Sequence, residues 1–210
     1  MNTLFGLDYP TWWFLVVGAV FSAYVILDGF DLGAGALHLF FKDEESRRIA
    51  LNAIGPVWDG NEVWLVVGGG AFFAGFPVVY ATLLSAMYIP FMLFLLCIIL
   101  RAVSIEFRSK EPWDWWKNLW DTSYCISSGM LSFLLGVILG NILLGMPIND
   151  QLEFSGDWLM FLNPYAITVG LTSLALMSMH GAIYLAIKTE GELYTKVVKL
   201  QKYAMIAFMV

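Results

Sequence analysis

The stretch PTWWFLVVGAVFSAYVILDGFDLGAGALHLFF, residues 10–41, decides the fold class. It runs without a charge from Pro10 to Leu27, then places Asp28 and Asp31 three residues apart before the apolar run resumes. A helix needs roughly 20 apolar residues to cross a bilayer, and this stretch supplies them. The same pattern recurs along the chain, so the reading is an all-α, polytopic membrane protein. Helix 1 is expected over about Pro10–Phe41, helix 2 over Ile49–Phe76 and helix 3 over Pro77–Arg101. Helix 4 is expected over Leu119–Leu144 and helix 5 over Pro164–Ile187, with a sixth beginning near Leu200. The domain reading is a first four-helix transmembrane bundle over residues 1–145, an extracytoplasmic loop over 146–163 and the start of a second bundle over 164–210. The chain ends at Val210 inside an apolar run, as a truncated chain would.

Composition agrees. Of 210 residues, 60% are hydrophobic and 13% charged, about half the charged share of a soluble domain. That excludes a disordered chain and an ordinary soluble domain. A net charge of −6 offers no basic surface for nucleic acid. Cys97 and Cys125 fall inside expected spans, where they read as free, small apolar residues and not as a disulfide. The N-terminus carries no basic residue before the first apolar run and no small-residue cleavage site, so that run reads as an anchor and not a signal peptide.

The basic residues orient the chain. Lys42, Arg47 and Arg48 follow helix 1; Arg101, Arg108, Lys110 and Lys117 follow helix 3; Lys188, Lys196, Lys199 and Lys202 follow helix 5. These are all eleven, and they lie on one side, which the positive-inside rule makes cytoplasmic. The N-terminus and the loop carrying Asp150, Glu153 and Asp157 then face outward. Trp12 and Trp13 at the outer end, and Trp113, Trp115, Trp116 and Trp120 at the inner end, match interfacial aromatic belts.

Polar residues inside the spans point to function. Asp28 and Asp31 in helix 1, and Asp59 and Glu62 in helix 2, are spaced i, i+3, so each pair lies on one helix face. At 1.5 Å per residue, Asp28 and Asp31 lie about 23 and 27 Å below Trp13, and Glu62 and Asp59 about 21 and 26 Å below Phe76. The four acids share the inner half of the bilayer. Arg101, about 35 Å down helix 3, is expected at the cytoplasmic edge. Charges at such depth cost about 2.5–3.5 kcal/mol on insertion scales and need partners, water or protons, so the group reads as a proton or cation path. The structural alternative is a set of bundle-stabilising ion pairs. Gly29 with Gly33, and Gly136 with Gly140, are small-xxx-small pairs that let helices approach closely. His38 and His180 are the only histidines and stand apart; no His-x-x-His, Glu-x-x-His or clustered Cys accompanies them, so no haem or metal is expected on this chain.

Four motifs carry a resemblance. Asp28-Gly-Phe-Asp-Leu-Gly-Ala-Gly35, Gly55-Pro-Val-Trp-Asp-Gly-Asn-Glu-Val-Trp64, Phe107-Arg-Ser-Lys110 and Gly140-Asn-Ile-Leu-Leu-Gly145 together resemble subunit II of cytochrome bd-type quinol oxidases. The resemblance runs in order through nearly all of the chain. It implies a bacterial or archaeal cytoplasmic membrane and a complex that oxidises quinol and reduces oxygen to water. It also implies haems b and d, with the quinol site, on a partner subunit I. The subunit itself is expected to bind no haem, to have small accessory membrane subunits and lipid as neighbours, and to leave room for a structural quinone or lipid. The matching path positions are Asp31 and Arg101 near a cytoplasmic entry, with Asp59 handing protons towards subunit I. Glu62 stands where some relatives have Gln. Two rival readings are a proton- or cation-coupled secondary transporter, which also places acids at mid-membrane, and a purely structural subunit.

Overall fold

The computed structural model describes residues 3–151 and 153–210. Among the described residues the regular structure is helical apart from a two-stranded ribbon at Thr3–Leu4 and Leu7–Asp8 and one isolated bridge between Ile148 and Phe154. Helix α1 spans Tyr9–Ala36. It starts where Asp8 accepts the Thr11 N–H at 3.0 Å and where Pro10, which has no N–H to lose, occupies the first turn. One 3₁₀ turn, His38–Phe40, continues it.

Helix 2 of the sequence reading is two helices. α2 (Glu44–Ile54) is a short amphipathic segment capped by Asp43, whose carboxylate takes the Ser46 N–H at 2.9 Å. α3 (Trp58–Gly75) begins after Gly55-Pro56. Proline removes a backbone donor and disfavours helix at the residue before it, so the apolar run breaks there. Helix 3 is likewise two pieces: α4 (Pro77–Ala86), bent 119° from α3, and α5 (Tyr88–Phe107). Pro90 cannot donate to the Ala86 carbonyl, and the chain breaks at Met87. α5 then runs past Arg101 to Phe107.

α6 covers Asp114–Leu144, five residues more at its start than expected, and at about 47 Å it exceeds the hydrocarbon thickness. α7 (Pro164–Lys188), capped by Asn163, matches the expected helix 5 to within one residue. α8 (Gly191–Met209) starts well before the expected Leu200. Among the described residues, four helices are long and apolar enough to span a membrane (Tyr9–Phe40, Tyr88–Phe107, Asp114–Leu144 and Pro164–Lys188), and the bent pair α3–α4 is a fifth candidate.

α1 is the axis of the bundle, packed against α3, α6 and α7; α6 also lies against α5 and α7. Small residues set these distances. A Cβ on Gly33 would overlap the Met177 carbonyl of α7, and one on Gly136 would meet Gly170 Cα at 2.7 Å. The small-xxx-small reading therefore corresponds to real close approaches of α1 and α6 to α7. An apolar layer of Leu32, Phe94, Cys97, Leu131 and Leu134 fills the middle, and a second cluster round Phe41, Ile54, Trp58 and Leu185 fills the end where α1 meets α2. Cys97 and Cys125 are free. Outward positions on α5, including Ile89, Met92, Leu96 and Ile99, are exposed and apolar, as a face towards lipid or another subunit must be.

Candidate functional site

The site is built on α1, α3 and α5. Asp28 lies on the buried face of α1, together with Tyr24 and Asp31, and is fully buried. Arg101, on α5, is also fully buried and forks onto it: Nη2 donates to Asp28 Oδ1 at 2.6 Å and Nη1 to Oδ2 at 3.1 Å. This two-point geometry is the strongest form of a guanidinium–carboxylate pair. Glu62 of α3 closes the group, with Oε2 3.5 Å from Arg101 Nη1. One turn before Asp28, the buried Tyr24 reaches the same carboxylate.

Asp31 lies one turn further along α1, fully buried. Asn61 of α3 donates to its Oδ2 at 2.8 Å and to the Leu27 carbonyl at 3.1 Å, fastening α3 to α1. Its other oxygen, Oδ1, has no protein partner, and neither does Arg101 Nε. Three acids thus share one arginine. A single guanidinium balances one carboxylate, so the remaining carboxyls depend on water or on protons. This charge count gives the cluster its chemistry: it is a buried group of acids that can hold or pass protons.

The structure brings together Asp28, Asp31, Glu62 and Arg101. Asp59 stands apart from their hydrogen bonds. It lies in the first turn of α3, exposed on the bundle surface, one turn from Glu62 and close enough to act on it electrostatically. Arg101 is six residues inside the end of α5 and enclosed, because the helix continues to Phe107, past the expected end of helix 3.

A second ionic group escaped the sequence reading. Asp121 of α6 is buried and takes His38 Nε2 at 2.7 Å, Arg108 Nη2 at 3.1 Å and Arg47 Nη1 at 3.2 Å. Arg108 Nη2 also reaches Glu44 at 2.8 Å, and Lys117 reaches Glu44 at 3.2 Å. Burial alone would push Glu44 up, but the hydrogen bonds of Arg108 and Lys117 outweigh it and hold the carboxyl below its usual range. Burial likewise works against the Arg108 charge, yet Asp121 and Glu44 raise its affinity for the proton. Asp43, bonded to Lys196 at 2.8 Å, is held well below the ordinary aspartate range by that partner and by Ser46. Two signals for this group were present in the sequence: Asp121 inside an otherwise apolar helix, and Arg108 in the Phe107-Arg-Ser-Lys110 motif.

The two histidines stand in different surroundings. His38 is enclosed with Nε2 engaged by Asp121 and its ring edge-on to Tyr124 at 5.1 Å; His180 lies edge-on to Phe30 at 5.8 Å. Among the described residues, no three His, Cys, Asp or Glu side chains gather as a metal site would require.

A bundle of long apolar helices with an enclosed cluster of acids and arginine is a multi-pass membrane protein with a polar interior. The profile of the cytochrome bd terminal oxidase subunit II family matches residues 9–210, and the chain belongs to that family. It is 38% identical over 189 residues to the cytochrome bd-I ubiquinol oxidase subunit 2 of Escherichia coli K12, covering 88% of this chain and 50% of that protein. It is also 38% identical over 199 residues to the cytochrome bd ubiquinol oxidase subunit 2 of Bacillus subtilis 168, covering 94% of this chain and 59% of that protein. The probable cytochrome oxidase subunit 2 of Haemophilus influenzae is 38% identical over 183 residues, 85% of this chain and 48% of that protein. The chain spans about half the length of these relatives.

Proposed function

We propose that the chain is part of the non-haem subunit II of a cytochrome bd-type quinol:O2 oxidoreductase, and that it conducts protons from the cytoplasm for reduction of O2 to water. The supporting observation is the enclosed Asp28–Arg101–Glu62 group beside Asp31, with Asp59 exposed one helical turn away. Residues 1–145 form the first bundle of this reading, 146–163 the outer loop, and 164–210 the beginning of the second, with α7 as the seam between them. The N-terminus faces outward from the cytoplasmic membrane. In this reading the haems b and d and the quinol site belong to subunit I, as the family resemblance implies.

In this mechanism each O2 takes four electrons and four protons to become two waters. Protons enter at the basic, cytoplasmic end and reach Asp31, whose free oxygen accepts them. Arg101 fixes Asp28 through two hydrogen bonds, so Asp28 holds the arginine in place beside the path. Glu62 and then Asp59 carry the proton to the surface of the bundle, where the partner takes it. If quinol releases its own protons outside, charge separates without a pump, worth about 2.3 kcal/mol per charge per 100 mV. The transporter reading rests on acids at mid-membrane alone and has no further support once the oxidase family is assigned.

The test is Asp59→Asn in the complete complex. Asn keeps the size and can hydrogen-bond but carries no exchangeable acid proton at neutral pH. Oxygen consumption per haem should fall while the haem spectrum stays nearly intact, and Asp31→Asn should act in the same direction more mildly. Wild-type turnover and membrane potential in proteoliposomes of the Asp59→Asn complex would refute the path. Reduced assembly with normal turnover per haem would make Asp59 a stabilising residue instead.

A further inference from the structure

Two facing stripes of polar residues run along the contact of α1 with α6. On α1 and the turn that continues it, Asp31, Gly35 and His38 fall at i, i+4 and i+7; on α6, Asp121, Tyr124 and Ser128 fall at i, i+3 and i+7. They meet in order. His38 Nε2 bonds Asp121 at 2.7 Å, and the His38 ring stands edge-on to Tyr124. Gly35 lies under Tyr124 and Ser128, where a Cβ would come within 2.9 Å of Tyr124 Cζ and overlap the Ser128 hydroxyl. The Tyr124 hydroxyl lies 3.5 Å from the Asp31 carbonyl oxygen.

Two side-chain atoms on this seam, His38 Nδ1 and Ser128 Oγ, are buried with no protein partner, and so is Oδ1 of Asp31, whose backbone carbonyl ends the seam. All three residues are at most 1% exposed. One unpaired polar atom is an ordinary exception; three on neighbouring residues mark groups with hydrogen-bonding capacity reserved for water or for a proton. Packing alone does not call for it. An apolar residue at 128 and at 38 would fill the same seam without burying unpaired atoms. Seven residues from Asp31 to His38 rise about 10 Å, a gap that the two hydroxyls and a few waters can bridge.

We propose that His38 is a proton-relay residue that feeds Asp31 from the cytoplasmic end along this α1–α6 seam. Asp121 accepts hydrogen bonds from Arg108 and Arg47 and accepts from His38 as well, so it keeps the hydrogen on Nε2 and the lone pair on Nδ1. Nδ1 takes a proton from water at the cytoplasmic end; the same nitrogen releases it through the Ser128 and Tyr124 hydroxyls and bound water to Asp31 Oδ1. The imidazole returns to neutral, Asp31 becomes a carboxyl, and no proton is gained or lost overall. The charged and titratable groups round His38 are Asp121, Tyr124 and Lys117 from α6, Glu44 and Arg47 from α2, and Arg108 after α5.

The inference rests on the proton-path reading, and the experiment separates the two. In the complete complex, His38→Gln keeps a donor for Asp121 but takes up no proton. Turnover per haem should fall about fivefold at alkaline pH, where protons are scarce, and approach wild type at acid pH. That is less than the ~100-fold or more of a positioned acid–base group in a chemical step, because water offers a bypass. Imidazole added to His38→Ala should restore the alkaline limb. Tyr124→Phe, which loses only a long hydrogen bond, should shift the pH profile the same way and covers the case in which the His38 variants fail to assemble. A wild-type pH profile in His38→Gln or Tyr124→Phe overturns the relay. If Asp59→Asn is slow while His38→Gln is not, the seam fails and the path stands; if neither is slow, both fail.

Discussion

Replacing Asp28 by Asn should destabilise the subunit more than any other single carboxylate change in the cluster. Arg101 is fully buried and its two forked hydrogen bonds, 2.6 and 3.1 Å, both end on Asp28. Breaking a buried pair by removing one partner costs about 3–5 kcal/mol, since a charge is left uncompensated. Asn keeps one oxygen acceptor, and Glu62, 3.5 Å away, can shift towards the guanidinium, so the lower end of that range, about 3 kcal/mol, is expected. At roughly 2–4 °C per kcal/mol for a chain of this size, the unfolding midpoint should drop by about 6–12 °C. The assay is thermal unfolding of the detergent-solubilised complex, followed by loss of α-helical ellipticity and of haem absorbance. A double-mutant cycle with Arg101→Gln isolates the pair: the two single changes should sum to more than the double change costs. A midpoint within a degree of wild type, or strict additivity in the cycle, would show that the pair holds nothing together.

Two further outcomes follow from packing and from surface charge. Gly33→Ala should destabilise by about 1–3 kcal/mol or more, because its methyl would meet the rigid Met177 backbone, whereas Gly69→Ala, with nothing nearby, should be neutral; equal effects in thermal unfolding would refute the close-approach account. The Asp43–Lys196 pair ties α2 to α8, with the carboxyl depressed and the ammonium raised by one another. Its contribution should be fully present from about pH 4 to about pH 10, lost at acid pH only below the depressed aspartate value and at alkaline pH only above the raised lysine value. Hydrogen exchange in the first turn of α2 should therefore be protected evenly across that window. Lys196→Gln should remove the protection, and unchanged exchange in that variant would discount the tie.

The spans were legible because their signal is additive: a window of apolar residues keeps its meaning wherever its neighbours lie, and α7 was placed to within a residue. The breaks were less so. Pro56 and Pro90 sit inside apolar runs that read as continuous, and their effect depends on whether another helix or water supplies the missing hydrogen bonds. The end of helix 3 has another cause: the apolar run meets its first charge at Arg101, whereas α5 continues to Phe107 and Arg101 is enclosed. Its partner could not be read from spacing, because Asp28 and Arg101 are 73 residues apart and meet only after α1 and α5 flank the same layer.

The acids were legible for the opposite reason, since each was out of place where it stood. Asp121 met that criterion too, three helices later. It falls two residues inside the expected start of helix 4, next to a tryptophan-rich, charged stretch that reads as an interface, while α6 begins at Asp114 and encloses Asp121. The rule that intramembrane charge is costly therefore finds sites only as well as helix ends are known. In this chain the five further residues at the start of α6 turn Asp121 from a helix-end residue into an enclosed one that anchors His38. Both clusters follow from one constraint. A buried carboxylate must be met by donors from other helices, so the residues that make these helices hard to insert alone also fix α1 against α3, α5 and α6.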